Sequence, residues 1–371
     1  MRNLTIRGIK REEFSAEEMD NARNNNLELK QSIVFSTARN ISDEHTIQVG
    51  DTDLVEFVFE DDTSWTGGAD IIHDLFPQAA RTNRSGEAFV VPMSLEADSS
   101  DRGLGTIALK LLNVFAKKAV AKKVIDLAAS LEKKALNNQG GVFGIDPGFH
   151  LGKWKITETA RPNLLFIHGT NSSTWGSFAE IRDSVLWKHM QDTYSGNIFG
   201  LQHETMTKSP IQNVIALFKE LPQTCTLHVI THSRGGLVGD VLARFSNGHK
   251  GFSEEEIAYL QKTNRKTDVD DIRALQKLAA GKNIRIEKFI RVACPAYGTT
   301  ILSKRLDHFL NISCNLLSLA GGAAAVIGSE LKALIAAAVD TKNDPNELPG
   351  LEAMNPDSPF LKVLNNPANV L

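Results

Sequence analysis

The chain has 371 residues, of which 42% are hydrophobic and 23% charged, with a formal net charge of −3. That balance suits a globular chain able to bury a sizeable core, and it excludes the strongly basic character of a nucleic-acid binder. Cys225, Cys294 and Cys314 offer neither a disulfide framework nor a zinc-ligand spacing, so they fit a reducing compartment, and a cytoplasmic location is expected.

The N-terminal stretch MRNLTIRGIKREEF is charged and has no apolar core of a signal peptide. Between residues 1 and 100, TIQVGDTDLVEFVFEDDTSW and GEAFVVPMSLEA alternate β-branched and aromatic residues with Gly, Asp and Asn. They read as strands of a small β-rich domain. Glu60, Asp61 and Asp62 have no further ligands around them in the sequence and read as a solvated turn.

Residues 101–150 read as an amphipathic linking helix and a linker. Leu104, Ala108, Leu111 and Phe115 make one apolar stripe over 104–136, and Val120, Val124, Leu127 and Leu131 make a second. The other face is basic, with eight Lys/Arg against three acids between Asp101 and Lys134. Such a helix can connect domains or lie on an anionic membrane surface. NNQGGVFGIDPG reads as the linker that ends it.

From about residue 155 the rhythm changes. NLLFIHGT, GNIFGLQHET, TCTLHVITHS and IRIEKFIRVACP are four candidate strands, and helical patterns such as SPIQNVIALFKELP and RGGLVGDVLARF lie between them. Buried strands alternating with amphipathic helices predict a parallel sheet wrapped by helices, with any chemistry at the carboxyl ends of the strands. The segment DVDDIRALQKLAAG reads as a further amphipathic helix without chemistry.

One stretch carries chemistry. CTLHVITHSRGGLVGD, residues 225–240, runs from a strand through Ser233 into two glycines and a helix. A serine nucleophile at a strand-to-helix turn needs small neighbours, because strand and helix backbones approach closely there. Gly235 and Gly236 meet that need, whereas Thr231 stands where a glycine is commonest. FIHGTNSSTWGSF supplies a second element: His168, Gly169 and Thr170 end an earlier strand, where a backbone N–H can face an oxyanion. VACPAYGTT, residues 292–300, is a sharp turn after the next strand.

Together HGT, THSRGGLV and ACPAYGT resemble the oxyanion loop, nucleophile elbow and post-elbow turn of lipase-like α/β-hydrolases. GLQHETMTKSPIQNVIALFKELP is similar to a poorly characterised bacterial set of such hydrolases, akin to triacylglycerol lipases and the GPI inositol-deacylase type. The resemblance covers roughly residues 155–371. It implies an α/β fold with a mostly parallel sheet and helices on both faces, here expected over 151–371 after the β-rich domain and linking helix. It implies Ser233 as nucleophile, with the Thr170 and Arg234 N–H groups as oxyanion donors. His168, Gly169, His232 and His203 are then substrate-side residues. The implied chemistry is hydrolysis of an acyl ester or lipid through an acyl-enzyme, with no cofactor and no metal.

The same family orders its triad as Ser, acid, His along the chain. After Ser233 only His249 and His308 remain, the first too early and the second directly beside Asp307. LPGLEAMNPDSPFLKVLNN is similar to the segment before the family's last strands. The expectation is therefore that the acid and histidine lie beyond Leu371 and that the chain alone is inactive. Two other readings stay open: a non-catalytic interaction module, and a membrane-surface protein using the basic helix. Residues 309–329 carry no charge over 21 positions, but Asn311, Ser313, Asn315 and Ser318 interrupt them, so they read as buried helix or lid rather than as a membrane span.

Overall fold

The computed structural model describes residues 2–24, 27–35, 43–61, 63–76, 80–83, 86–95, 107–117, 123–157, 161–299, 310–311, 333–338 and 348–366. The chain divides into two compact units, one of residues 1–127 and 305–344, the other of 128–304 and 345–371. The expected lid or membrane segment, His308 and Cys314 lie outside the described residues, apart from Leu310 and Asn311.

The first unit is β-rich. Strands β1 (Arg2–Arg7), β4 (Glu44–Val49), β7 (Ala80–Asn83) and β8 (Gly86–Val90) form one sheet in the order β4-β1-β8-β7, mixed because β1 and β8 are parallel. Strands β2 (Ile9–Lys10), β3 (Leu27–Val34), β5 (Leu54–Phe59), β6 (Ser64–Gly67) and β10 (Ile107–Lys117) form an antiparallel sheet in the order β2-β3-β10-β5-β6, and β9 (Ser94–Leu95) pairs with β10. Leu4, Ile6, Ile33, Phe57, Phe89 and Leu112 fill its core. Helices α1 (Ala16–Asn24) and α2 (Ile71–Leu75) complete it with a helical turn at 333–338, whose Ala336 packs beside Leu27 and Phe115.

The long linking helix expected over 104–136 is not there. Ile107–Lys117 is β10, and among the described residues of this stretch the helix is Val124–Ala135, α3. Leu109 and Phe115 are as buried as Leu112 and Val114, so the run is apolar on both faces, as a central strand must be. Apolar residues that dense satisfy helical spacing as well, which is why periodicity alone misassigned them. Of the lysines that suggested a membrane surface, Lys117 ends β10 and Lys123 precedes α3, while Lys118 and Lys122 lie outside the described residues. No helix among the described residues is long and apolar enough to cross a membrane.

Among the described residues, the second unit is built on six strands: β11 (Gly141–Ile145), β12 (Leu151–Gly152), β13 (Asn163–Ile167), β14 (Ile198–Gln202), β15 (Thr224–His232) and β16 (Asn283–Val292), in the order β12-β11-β14-β13-β15-β16. The last four are parallel, but β11 pairs antiparallel with both β14 and β12. With the mixed and antiparallel sheets of the first unit, this corrects the expected mostly parallel α/β-hydrolase architecture. The error began at GVFGI, read as linker because of its glycines. Gly144 lies against the Trp154 ring, so there the missing side chain serves packing within a strand.

Leu164 and Phe166 of β13 pack with Phe178 and Trp187, from α4 (Thr174–Phe178) and α5 (Val185–Tyr194), on one face of the sheet. Helix α7 (Gly235–Arg244) lies on the other face, where Gly239 meets Thr231 and Phe289. Helices α6 (Pro210–Glu220), α8 (Glu254–Lys262) and α9 (Lys266–Ala279) complete this unit with the short helices Pro349–Glu352 and Pro359–Leu364. Ser209 closes the start of α6 with a capping box, as Ser253 does for α8.

Candidate active site

Three parallel strands deliver their carboxyl ends to one edge of the second sheet. Ile167 is level with Leu201 on one side and Thr231 on the other, so the residues after β13, β14 and β15 emerge side by side. This juxtaposes His168, His203 and His232–Ser233.

Ser233 sits in the left-handed region at φ 51° and the chain enters α7 immediately afterwards. Its N–H donates to Val292 O at 2.9 Å and its carbonyl accepts from Gly236 N–H at 3.0 Å, which pins the turn from both sides. A Cβ on Gly235 would collide with the Ile167 carbonyl and come within 2.7 Å of the His168 carbonyl. A Cβ on Gly169 would lie 2.8 Å from Ser233 Cβ, and one on Gly236 would lie 2.5 Å from Cys294 Cβ. The small residues flanking the serine are thus required by contact.

Thr231, the departure from the usual glycine, is fully buried. Its Cγ2 would lie 2.9 Å from a Cβ on Gly239, one turn into α7. The helix supplies the bare position that the strand lacks, and the spacing from Thr231 to Gly239 was the signal that sequence reasoning missed. The Thr231 hydroxyl lies 3.3 Å from Cys294 Sγ.

The candidate oxyanion donors differ from their neighbours. Gly169 N–H reaches Ser177 Oγ at 3.4 Å and Asn171 N–H reaches Thr205 Oγ1 at 2.9 Å. Among the described residues, neither Thr170 N–H nor Arg234 N–H donates to a protein group. The Thr170 hydroxyl faces Met354 Sδ at 3.8 Å.

The Arg234 side chain points inward and is fully buried. It donates to Gly350 O at 2.8 Å, Asn213 Oδ1 at 3.1 Å and Lys208 O at 2.6 Å. Burial pulls its pKa down to about 10 while the nearby Glu132 charge acts the other way, so it stays cationic at neutral pH. Glu132 is 2% exposed and accepts from the N–H of Thr205, from Met206 N–H at 2.5 Å, from Thr207 N–H at 3.1 Å and from the Thr205 and Thr207 hydroxyls at 3.0 and 2.6 Å. The 205–208 loop after β14 is held between a buried carboxylate on α3 and a buried guanidinium under Ser233. Nothing in the sequence pointed to this: Glu132 read as one acid on a basic helix.

Hydrogen bonds set the tautomers of His168 and His203. His168 Nδ1 donates to Gly169 O at 2.9 Å and its Nε2 accepts from His203 N–H at 3.2 Å. The two rings stack with centroids 4.1 Å apart. Burial lowers the His168 pKa to about 4, helped by the Arg234 and His232 charges, and lowers His203 well below its ordinary value. Half-buried His232 meets Phe178 edge-on and is also lowered by burial. All three are neutral near pH 7. Among the described residues, none of them and no carboxylate hydrogen bonds Ser233 Oγ. His249 lies beyond the far end of α7, a ten-residue helix that separates it from Ser233 by roughly 15 Å. Among the described residues, His150–Asp146 at 3.1 Å and His228–Glu287 at 3.5 Å pair histidine with carboxylate, neither at Ser233.

A family model described as a domain of unknown function, DUF7379, matches residues 149–280 and 271–370, more than half of the chain. The chain belongs to the DUF7379 family. No curated protein and no solved structure matches it. The DUF7379 match takes in all three strand ends, the Ser233 turn and the Gly350 region that Arg234 holds.

Proposed function

We propose that this DUF7379 protein is a serine hydrolase of esterase or lipase type. The observation that carries the reading is Ser233 at positive φ between a strand and a helix, with glycines wherever the backbones close on it. A strained non-glycine residue at such a turn is a recognised device for presenting a nucleophile. Ser233 Oγ attacks an acyl carbonyl, and the developing oxyanion is held by the uncommitted N–H groups of Thr170 and Arg234. The alcohol leaves with a proton, and water then releases the acid from the acyl-enzyme.

Neutral His168, His203 and His232 surround the turn without serving as base, and their rings are held for structure. The base and its orienting acid are expected from outside the described residues. The free thiols of Cys225 and Cys294 agree with a cytoplasmic location. Turnover of p-nitrophenyl esters of graded chain length tests this. The expected result is hydrolysis, by the protein with its base and acid in place, that Ser233→Ala abolishes with the fold intact by circular dichroism. Hydrolysis that survives Ser233→Ala would reject Ser233 as the nucleophile.

A further inference from the structure

Among the described strands of the second sheet, β16 is outermost and pairs with β15 on one side only. The two halves of its outer edge differ. In the first half Asn247 stands where a neighbouring strand would. Its N–H donates to Ile284 O at 2.8 Å, its side-chain amide donates to Ile286 O at 3.1 Å, and its Oδ1 accepts from Ile286 N–H at 3.0 Å. Glu287 is then skipped in the register, Ile286 lying level with Leu227 and Lys288 with His228, so the strand bulges there. Covering an edge and bulging it both protect it from further pairing.

The second half has neither protection. Val292 O accepts from Ser233 N–H, so the backbone groups of Lys288, Ile290 and Val292 face β15 and those of Phe289 and Arg291 face outward. Among the described residues, the outward N–H and C=O groups of Phe289 and Arg291 meet no protein partner. The side chains of Phe289 and Arg291 lie on the α7 face, the first against Gly239 and the second paired with Asp240. Lys288, Ile290 and Val292 share the other face, level with His228, Ile230 and His232. Ile290 is 53% exposed and Val292 45%.

This half of the edge is complementary to itself. A two-fold axis through Ile290, perpendicular to the sheet, sets the strand antiparallel to its copy. Phe289 then exchanges both backbone hydrogen bonds with the partner's Arg291, and Arg291 does the same with the partner's Phe289. Ile290 packs on the partner's Ile290, and Val292 on the stem of the partner's Lys288, so the exposed apolar side chains cover one another and no like charges oppose. An axis through Arg291 would set guanidinium against guanidinium. An axis through Phe289 would draw the bulged Glu287 into the ladder and leave Ile290 facing the partner's Lys288. We propose that the 288–292 edge of β16 binds a second copy of this chain, antiparallel about Ile290, and joins two sheets into one. The proposal does not rest on Ser233 being a nucleophile.

Sedimentation velocity on the intact protein tests it. A short ladder makes a small interface, so the expected result is a reversible dimer across the micromolar range. Ile290→Glu opposes two carboxylates at the axis and should raise the dissociation constant about tenfold or more, with circular dichroism unchanged because the position is exposed. Ile290→Cys places two thiols on Cα atoms about 4.5 Å apart, within disulfide reach, so diamide should give covalent dimers. In Val292→Cys the two thiols lie four residues apart along the ladder, roughly 14 Å, and cross-linking should stay at the level of the parent. A dimer unmoved by Ile290→Glu, or equal cross-linking through Val292→Cys, would overturn the proposal. So would a chain monomeric throughout the range, which would point to a strand of a different protein as the occupant.

Discussion

A non-glycine residue in the left-handed region costs about 1–2 kcal/mol, and Ser233 bears that cost at φ 51°. Ser233→Gly should relieve it. Glycine also gains freedom in the unfolded chain, so the net stabilisation should be small, about 0.5–1 kcal/mol, read from the urea midpoint. The same variant should lose all ester hydrolysis. A loss of stability in Ser233→Gly would mean that the serine side chain holds the turn and that the strain argument fails. Gly169→Ala tests the neighbouring contact. Its Cβ would stand 2.8 Å from Ser233 Cβ, so the serine or the Thr170 loop must move. Hydrolysis should fall by about 10²-fold or more, the usual cost of displacing an oxyanion donor, with little change in melting temperature.

At the scale of elements, the 205–208 loop and the start of α7 depend on one buried cation. Arg234→Met would strand Lys208 O, Gly350 O and Asn213 Oδ1 and leave Glu132 without its nearby positive charge. The expected loss is about 3–5 kcal/mol, measured by chemical denaturation. Arg234→Lys cannot span three acceptors and should recover only part of it. An Arg234→Met variant as stable as the parent would show that the guanidinium contributes nothing net.

The same scale shows what the sequence made legible. The strands NLLFI, IFGLQ and TCTLHVITH were readable because they are short buried runs bounded by glycine, proline and polar residues. Ser209 before Pro210, and Ser253 three residues before Glu256, are helix-start signals in the sequence, and both serines cap their helices. Strand β10 was not, because a strand buried on both faces has no alternation to separate it from a helix. Strand β11 was not, because its glycines answer to neighbouring side chains, Trp154 and Glu220, that lie elsewhere in the chain. Around Ser233 the local turn was legible, while Glu132, Asn213 and Gly350, brought in from three distant segments, were not.

For the whole molecule, the buried histidines set an acid limit. The His168 pKa falls from 6.5 to about 4 on folding, and that of His203 also falls. A depressed folded pKa gives stability that is complete above the unfolded value and is lost as pH drops through the folded value. Stability should therefore be flat above about pH 6.5 and decline from there towards pH 4. His168 alone would account for roughly 3 kcal/mol of the loss, at about 1.4 kcal/mol per unit. Urea midpoints across this range should show the decline in the parent and a shallower one in His168→Gln. A parent whose midpoint does not move between pH 7 and pH 4.5 would contradict the burial of neutral histidine.

The central claim, that Ser233 is a nucleophile, has a more direct test than turnover. The intact protein treated with a fluorophosphonate should gain one adduct by mass spectrometry, and peptide mapping should place it on Ser233, with none in Ser233→Ala and little in Gly169→Ala. An adduct on another residue, or none on the folded protein, would contradict the claim.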